Sequence, residues 1–253
     1  MFFLIPGDLQ TRTGGYGYDR RIIDGLRHAG WTVDVVRLDD SFPLPTEAAL
    51  AHADTTLAAM PDGAVVLIDG LALGAMPQPV LRHAGRLRLV ALVHHPLAHE
   101  TGLDPQTAAR LRESETAALA AVRQVVVTSS RTVAALAEFG VMPDRVAVVE
   151  PGTDRAPVAR GSQGTTTELV CVASLTPRKG HLVLFQALAG LRHHDWRLTC
   201  VGSTEREPES VATLRQAMRD LELEKRVALA GEADAEQIGA FYDRSDVFVL
   251  PTF

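Results

Sequence analysis

The chain has 253 residues, of which 46% are hydrophobic and 22% are charged, and its formal net charge at pH 7 is −6. This is the composition of a globular protein of one or two domains, and the net negative charge offers no basic surface for nucleic acid. No apolar run approaches the roughly 20 residues that cross a membrane, and the first residues lack the basic region of a signal peptide. The two cysteines, Cys171 and Cys200, lie inside apolar runs, which predicts buried, reduced thiols in a cytoplasmic protein.

Residues 1–153 alternate apolar runs with helical patterns. The opening MFFLIPG is typical of a strand, and YDRRIIDGLRHAG predicts a helix that ends at Gly30. Helical patterns also cover residues 104–121 and 130–139, the second with Ser129 or Ser130 as its N-cap. Val-rich runs predict five further strands, namely WTVDVVRL, GAVVLIDG, RLVALVHH, QVVVTSS and RVAVVEPG. This alternation predicts a mostly parallel sheet with helices on both faces.

Residues 154–167 are small and polar and contain Pro and Gly without apolar periodicity, which indicates a linker. Residues 168–253 resume the alternation, with predicted helices at 180–192, 209–221 and 235–244 and predicted strands ELVCVASL, WRLTCVG, RVALAG and DVFVLP. We therefore expect an α/β protein with two Rossmann-like, doubly wound parallel-sheet domains. The second domain has only four predicted strands, and we expect it to be incomplete.

A basic turn lies between a predicted strand and a predicted helix in the second domain. Arg178 and Lys179 stand there side by side, directly before Gly180. Unpaired N–H groups at the start of the helix, an arginine fork and a lysine charge together favour binding of a phosphate group. The alternative interpretation is a solvated basic turn, which is a common surface feature.

A glycine-rich loop follows the first strand and leads into the first helix. Its residues Gly14 and Gly15 would let backbone approach a phosphate. The pattern is not a dinucleotide fingerprint, because Arg20 stands where the third glycine belongs. This speaks against a dinucleotide-dependent oxidoreductase. A flexible surface loop is the alternative.

Two histidines, His94 and His95, end a predicted strand in the first domain. The carboxyl ends of strands in open α/β sheets face the ligand crevice, so either histidine could bond a sugar hydroxyl or a phosphate. A metal site with His99 and Glu100 is a weaker alternative, since no third distant ligand is evident, and a surface or capping histidine is another. Asp69, after VVLI, is interpreted as a strand-end turn residue.

Seven stretches, taken in their order and spacing, resemble one known family. They are GGYGYDRRIIDGLRHAGWTVDV, VHHP, VVVTSSRTVAALAEFGV, RVAVVEPGTD, VASLTPRKGHLVLFQAL, LTCVGS and RVALAGEADAEQIGAFYDRSDVFVLPTF. Over nearly its whole length the chain resembles the retaining glycosyltransferases of family 4, which have the two-Rossmann GT-B fold. The resemblance implies domains at residues 1–153 and 168–253, on the acceptor side and the nucleotide-sugar side respectively.

The resemblance also assigns residues to roles. His95, or else His94, corresponds to the family histidine near the transferred sugar. The donor diphosphate is assigned to Arg178, Lys179, Gly14 and Gly15, and the nucleoside to Gly202, Gly231, Glu232 and Ala233. The family arginine that precedes the lysine falls at Ser174, and Arg178 is expected to replace its charge.

The implied reaction moves a sugar, with retention, from a nucleoside-diphosphate sugar to a glycan or lipid-linked acceptor. Neither metal nor cofactor is expected, because the basic pair would stabilise the leaving diphosphate. The inner face of the membrane is the alternative to a freely cytoplasmic location. Two other functions stay open: a non-catalytic protein that binds a nucleotide or a partner, and a GT-B nucleotide-sugar epimerase.

Family members continue, beyond the position of Phe253, with a segment whose two glutamates contact the donor. From this resemblance we expect a C-terminally truncated chain with impaired activity on its own. The run Val247–Leu250 is apolar enough for burial on both faces. Since no helix is predicted after it, we expect exposed apolar surface there, and either self-association or a second chain that completes the domain.

Overall fold

Two parallel sheets organise the chain in a computed structural model that describes all residues, Met1–Phe253. The chain divides into two units, Met1–Thr153 and Asp154–Phe253. In this division the segment predicted as a linker falls within the second unit. The predicted α/β fold with two parallel sheets is confirmed.

The first unit is built on a six-stranded sheet in the order β2-β1-β3-β4-β5-β6, with every pairing parallel. Its strands are β1 Phe2–Pro6, β2 Asp34–Leu38, β3 Val65–Asp69, β4 Arg88–Val93, β5 Gln124–Val127 and β6 Val146–Val148. Its helices are α1 Gly14–His28, α2 Glu47–Ala58, α3 Gly70–Leu73, α4 Pro77–His83, α5 Pro105–Ala121 and α6 Ser130–Leu136. Short 3-10 turns cover Leu97–His99, Ala137–Phe139 and Pro143–Arg145.

Polar side chains mark where helices of this unit begin. The hydroxyl of Thr13 accepts from the backbone N–H of Tyr16 at 3.2 Å and so caps α1. Ser129 caps α6 through the N–H of Thr132 at 3.3 Å, as one of the two predicted positions. Such caps satisfy N–H groups that have no partner inside the helix. They fix where α1 and α6 start relative to the strands before them.

Alternating residues of β1 face opposite sides of the sheet, as the two-residue period of a strand requires. Phe3 and Ile5 pack with Ile23 of α1 in one buried cluster. Leu4 packs on the other face in a larger cluster that includes Leu57 of α2. Both faces of this strand are therefore buried, as expected for a parallel sheet.

The second unit has a four-stranded parallel sheet in the order β10-β7-β8-β9. Its strands are β7 Thr167–Val172, β8 Trp196–Val201, β9 Val227–Gly231 and β10 Val247–Phe248, and its helices are α7 His181–Ala189, α8 Pro208–Asp220 and α9 Ala235–Arg244. Helix α7 ends three residues before the predicted end, because Gly190 forms its C-cap and a turn follows. Cys171 and Cys200 pair in register on β7 and β8, and both thiols are free and buried, as predicted.

Strand β10 is shorter than the predicted run. Val247 and Phe248 pair with Leu169 and Val170 of β7 and remain 43% and 49% exposed. This agrees with the expected apolar exposure, and the self-association expected from it stays a prediction. None of the helices combines the length and apolar character that crossing a membrane requires.

The core of the second unit depends on Phe185, a fully buried residue of α7. We expect Phe185→Ala to lower the free energy of unfolding by about 3–5 kcal/mol, because it leaves a cavity among well-packed side chains. Leu182→Ala removes an exposed side chain of the same helix and should cost about 0.5 kcal/mol or less. Urea unfolding of both variants, followed by far-UV circular dichroism, measures the difference. Equal losses would show that Phe185 does not hold this core.

Candidate active site

A cleft of about 570 Å³ lies at the carboxyl ends of the strands in the first unit. It is lined by the first half of α1, by His94 after β4, by Thr128 after β5 and by residues 150–153 after β6. Ligands of open α/β sheets bind at this edge, because loops from several strands converge there. The cleft is therefore the candidate ligand site of the first unit.

His94 is held in this cleft by two buried carboxyl groups. Its Nε2 lies 3.0 Å from Oδ1 of Asp19 and 3.7 Å from Oδ2 of Asp69. Asp19 is on α1, and Asp69 ends β3 and caps α3 by accepting from the N–H of Leu71 at 2.8 Å. The ring edge of His94 also meets the ring of Tyr18, with centroids 5.3 Å apart. These contacts hold the ring from two sides, by α1 and by the end of β3.

The predicted glycine loop reaches the same histidine. Gly14 and Gly15 are the first two residues of α1, and both backbone N–H groups belong to its unsatisfied first turn. A Cβ at Gly15 would lie 3.6 Å from Cδ2 of His94, whereas one at Gly14 would meet no atom within 4 Å. The structure thus brings the glycine loop and His94 together, with open space at Gly14.

His95 has a different position from His94. Its Nε2 donates to the carbonyl oxygen of His99 at 3.1 Å, and its ring meets the ring of His99 edge-on. His94, and not His95, is among the residues that line the cleft. The geometry favours His94 for the role that the sequence gave first to His95.

The metal alternative with His95, His99 and Glu100 receives no support from this geometry. His99 is instead 3.3 Å from Glu138, on the 3-10 turn after α6. A set of potential metal ligands occurs elsewhere, since donor atoms of Asp19, Asp69 and His94 all lie within 4.8 Å of one another.

The sequence did not predict that Asp19 belongs to this cleft, nor that Asp69 contacts His94 in addition to capping α3. The available signal for Asp19 was its spacing, four residues before the buried Ile23 on the apolar face of α1.

The segment that follows the two histidines is anchored by a buried acid. Glu115 of α5 accepts from the N–H of Leu97 at 3.2 Å through Oε1, while its Oε2 is buried without a partner. Burial raises the pKa of Glu115 to about 7, against the lowering effect of the backbone N–H groups of Leu97 and Ala98. A Cβ at Gly74 would lie 2.8 Å from Leu97 and 3.3 Å from Glu115, so the packing here is close.

The predicted donor residues of the second unit lie at one edge of its sheet. Arg178 and Lys179 form a 3-10 turn after β7, and Gly180 follows in the left-handed region with φ 71° as the N-cap of α7. Gly202 follows β8 and donates its N–H to the carbonyl of Gly231, at the end of β9, at 2.9 Å. Because the strands are parallel, these three loops share the carboxyl edge.

Two further contacts describe this edge. Glu232 pairs with Arg206, from the loop after β8, at 2.7 Å, and Ala233 follows it in the same turn. Arg178 accepts from the N–H of Phe253 at 3.1 Å through its backbone carbonyl, so that hydrogen bond does not use its guanidinium. The edge therefore combines a basic pair, a helix N-terminus and two glycine turns. That combination suits a phosphate-bearing ligand.

Comparison with known families gives a match in the second unit. Residues 153–253 match the model of the family Glycosyl transferases group 1. The match contains the basic turn, Gly202 and the Gly231 turn.

Curated relatives are similar over much of the chain. A D-inositol 3-phosphate glycosyltransferase of Pseudarthrobacter chlorophenolicus is 28% identical over 186 residues, which are 65% of this chain and 44% of that protein. A GDP-mannose-dependent alpha-(1-6)-phosphatidylinositol monomannoside mannosyltransferase of Mycolicibacterium smegmatis is 30% identical over 229 residues, which are 86% of this chain and 58% of that protein. The chain thus spans about half the length of these two relatives.

Solved structures show the same fold. A sucrose-phosphate synthase from Thermosynechococcus elongatus has a TM-score of 0.75 at 17% identity, covering 100% of this chain and 75% of that one. Anabaena Alr3699/HepE in complex with UDP-glucose has a TM-score of 0.65 at 18% identity, covering 100% of this chain and 74% of that one. The fold is of the GT-B type.

The raised pKa of Glu115 makes a prediction about stability. The pKa of Glu115 is about 7 in the folded protein and near 4.5 in the unfolded chain. Between pH 4.5 and pH 7 the folded state therefore keeps a proton on Glu115 that the unfolded state has lost. Stability should therefore fall as pH rises from about 4.5 to 7, and the loss should persist above pH 7. Glu115→Gln should be more stable than wild type at pH 8 by about 1–3 kcal/mol and similar to it at pH 4.5.

Urea unfolding at pH 4.5 and pH 8 checks this expectation. Glu113→Gln changes an exposed glutamate of the same helix and is the matched control. It should leave the pH dependence of unfolding as it is in wild type. A Glu115→Gln variant whose difference from wild type is the same at both pH values would contradict the prediction.

Proposed function

We propose that this chain carries out glycosyl transfer from a nucleoside-diphosphate sugar, as part or all of a family 4 retaining glycosyltransferase. The observation that carries the proposal is the edge of the second sheet. There Arg178, Lys179, Gly202 and Gly231 come together inside the region that matches Glycosyl transferases group 1. The names of the two curated relatives and the UDP-glucose bound by a structure of the same fold agree with it.

The second unit would bind the donor through its diphosphate. The N-terminus of α7 presents unsatisfied N–H groups and the positive end of the helix dipole. Arg178 and Lys179 add two charges at the same turn. When the sugar leaves, negative charge grows on the diphosphate, and these groups stabilise it where it develops. We propose that this charge, and not a metal ion, assists the departure of the leaving group.

The first unit would act on the sugar and the acceptor. His94 and the Gly14–Gly15 turn lie in the cleft at the strand ends. Retention requires the acceptor hydroxyl to attack on the face that the diphosphate leaves. In the proposed reaction the bond from the sugar's anomeric carbon to the diphosphate oxygen breaks, a bond to the acceptor oxygen forms, and the departing diphosphate takes the hydroxyl proton. A glycan or lipid-linked hydroxyl compound is the proposed acceptor.

A binding screen separates the donor alternatives. Calorimetric titration with UDP, GDP and ADP, followed by their hexose derivatives, should identify one base that binds best. The same nucleotide sugar should then release its diphosphate only when an acceptor is present. The activities named for the two curated relatives suggest inositol phosphates and glycolipids as the first acceptors to try. Failure of every nucleoside diphosphate to bind at millimolar concentration would refute the proposed function.

Lys179 tests the diphosphate site. We expect Lys179→Ala to weaken binding of the preferred nucleoside diphosphate by 1–3 kcal/mol, about 5- to 150-fold, because it removes a charge-assisted hydrogen bond. Lys225→Ala removes an exposed lysine that precedes β9 and should leave the affinity unchanged. Isothermal titration calorimetry measures both. Equal affinities for the two variants would remove Lys179 from the site.

The two histidines give a second test. His94→Ala should lower the rate of transfer at least tenfold and leave binding of the free nucleoside diphosphate nearly unchanged, because His94 lines the cleft of the first unit. His95→Ala should have the smaller effect, since its ring is bonded to the carbonyl of His99. Initial rates with saturating donor and calorimetry with the diphosphate distinguish the two. The opposite order of rates would restore His95 as the functional histidine.

A further inference from the structure

A buried acid of the first unit has an oxygen atom that the surrounding protein leaves without a partner. Asp19 of α1 is 0% exposed, and its Oδ1 lies 3.0 Å from Nε2 of His94. Its Oδ2 is buried and accepts no hydrogen bond. Buried polar atoms are nearly always paired, and a buried carboxylate without enough donors or positive charge is costly. The unpartnered oxygen therefore points to a bound group that is not part of the chain.

Two further side chains bring donor atoms to the same place. Oδ2 of Asp69 lies 3.7 Å from Nε2 of His94, and donor atoms of Asp19, Asp69 and His94 all lie within 4.8 Å of one another. Zn²⁺ binds imidazole nitrogen and carboxylate oxygen at about 2.0–2.2 Å, so neighbouring ligands of a tetrahedral ion are about 3.3–3.6 Å apart. The two distances measured from Nε2 lie on either side of that range. Small side-chain shifts would bring the donors to ligand distances.

Other contacts orient two of these side chains. Oδ1 of Asp69 accepts from the N–H of Leu71 at 2.8 Å, which leaves Oδ2 toward His94. The ring of Tyr18 meets the ring of His94 edge-on, with centroids 5.3 Å apart. Outer contacts of this kind orient metal ligands and belong to most metal sites. The three donors are therefore partly arranged before any ion binds.

We propose that Asp19, Asp69 and His94 bind one divalent metal ion of the Zn²⁺ type. Its two positive charges would balance the two carboxylates, which are 0% and 1% exposed. A set of one imidazole and two carboxylates favours Zn²⁺ over Mg²⁺, which prefers oxygen ligands and keeps several of its waters. Since the chain supplies three donors, a water molecule would complete the coordination, as in zinc sites with three protein ligands.

A hydrogen bond without an ion is the other arrangement that these side chains allow. In it, Nε2 of His94 donates to Oδ1 of Asp19 at 3.0 Å. This bond leaves Oδ2 of Asp19 unpartnered, and it leaves the two carboxylates with at most one positive charge from the imidazole. A metal ion would use the acceptor that this bond does not reach. The unpartnered Oδ2 is thus the observation that favours the ion.

A bound ion would connect separate parts of the first unit. Asp19 is on α1, Asp69 ends β3 and His94 follows β4. The unfolded chain does not hold these three side chains together, so the ion would stabilise the folded state. The charge proposed for the leaving diphosphate belongs to Arg178 and Lys179 of the second unit. The metal site therefore does not rest on the proposed transfer.

Zinc binding to the chelator-treated chain tests the proposal without donor or acceptor. Native mass spectrometry should show one Zn²⁺ per chain, and calorimetry should give a Kd in the micromolar range or tighter. Asp19→Asn and His94→Gln should each weaken binding at least about tenfold, since even the loss of a supporting residue costs about 10- to 100-fold in metal affinity. Far-UV circular dichroism of each variant checks that it folds.

Two control variants address other groups that could take up zinc. His193 and His194 form an exposed pair with ring centroids 4.1 Å apart, so His193→Gln removes the first alternative. Sγ of Cys171 lies 3.5 Å from Nε2 of His181, so Cys171→Ser removes the second. Both variants should bind Zn²⁺ with the affinity of wild type.

X-ray absorption spectroscopy of the zinc-loaded wild type identifies the ligands without any variant. The spectrum should fit one imidazole together with oxygen ligands, and it should contain no sulfur. This measurement decides the question even if Asp19→Asn or His94→Gln fails to fold.

Three outcomes would overturn the proposal. The first is the absence of Zn²⁺ binding by the wild type at micromolar concentrations. The second is a wild-type affinity in folded Asp19→Asn and His94→Gln. The third is a spectrum with sulfur or with two imidazoles, which would place the ion at another site. None of these measurements requires turnover, so failure of the metal site and failure of the proposed transfer are distinguishable.

Discussion

The hydrogen bond between His94 and Asp19 is the contact on which the first unit's cleft depends. It joins the end of β4 to α1, and α1 begins with the glycines that pack on the same ring. Asp69 joins the end of β3 to this pair and also starts α3. One histidine therefore ties two strand ends and the first helix together. A buried charge without such partners would be costly, so removing any member affects the others.

Parallel strands explain why each unit gathers polar loops at one edge. All strands of a unit end on the same side, so residues far apart in the chain meet there without special loop geometry. In the first unit this brings Gly15 to His94, and in the second it brings Gly202 to Gly231. The two edges differ in character. The first has buried acids around a histidine, and the second has an arginine, a lysine and a helix N-terminus.

The sequence predicts most of this fold, because hydrophobic periodicity reports burial directly. It predicts the strands, α1 and the capping serine, and it places Lys179 and His94 at strand ends. It does not choose between His94 and His95, since a one-residue difference reverses the face of a strand end and only tertiary contacts decide it. It also does not reveal Asp19 as a buried residue. A charged residue is usually exposed, and its burial here depends on partners 50 and 75 positions away. The sequence places the end of α7 three residues beyond its observed end at Ala189, because an apolar residue follows Gly190.

Glycines in the second unit constrain what its candidate site can be. A Cβ at Gly202 would lie 2.0 Å from the carbonyl oxygen of Ala173, and one at Gly180 would lie 2.1 Å from that of Pro251. Both neighbours are backbone atoms, so no side-chain movement could relieve the overlap. These glycines are required for packing at the strand ends whether or not a nucleotide binds there. Their replacement would perturb the edge itself, whereas the side chain of Lys179 can be shortened without touching these backbone contacts. The basic side chains, more than the glycines beside them, are therefore the residues that distinguish a ligand site from a close-packed turn.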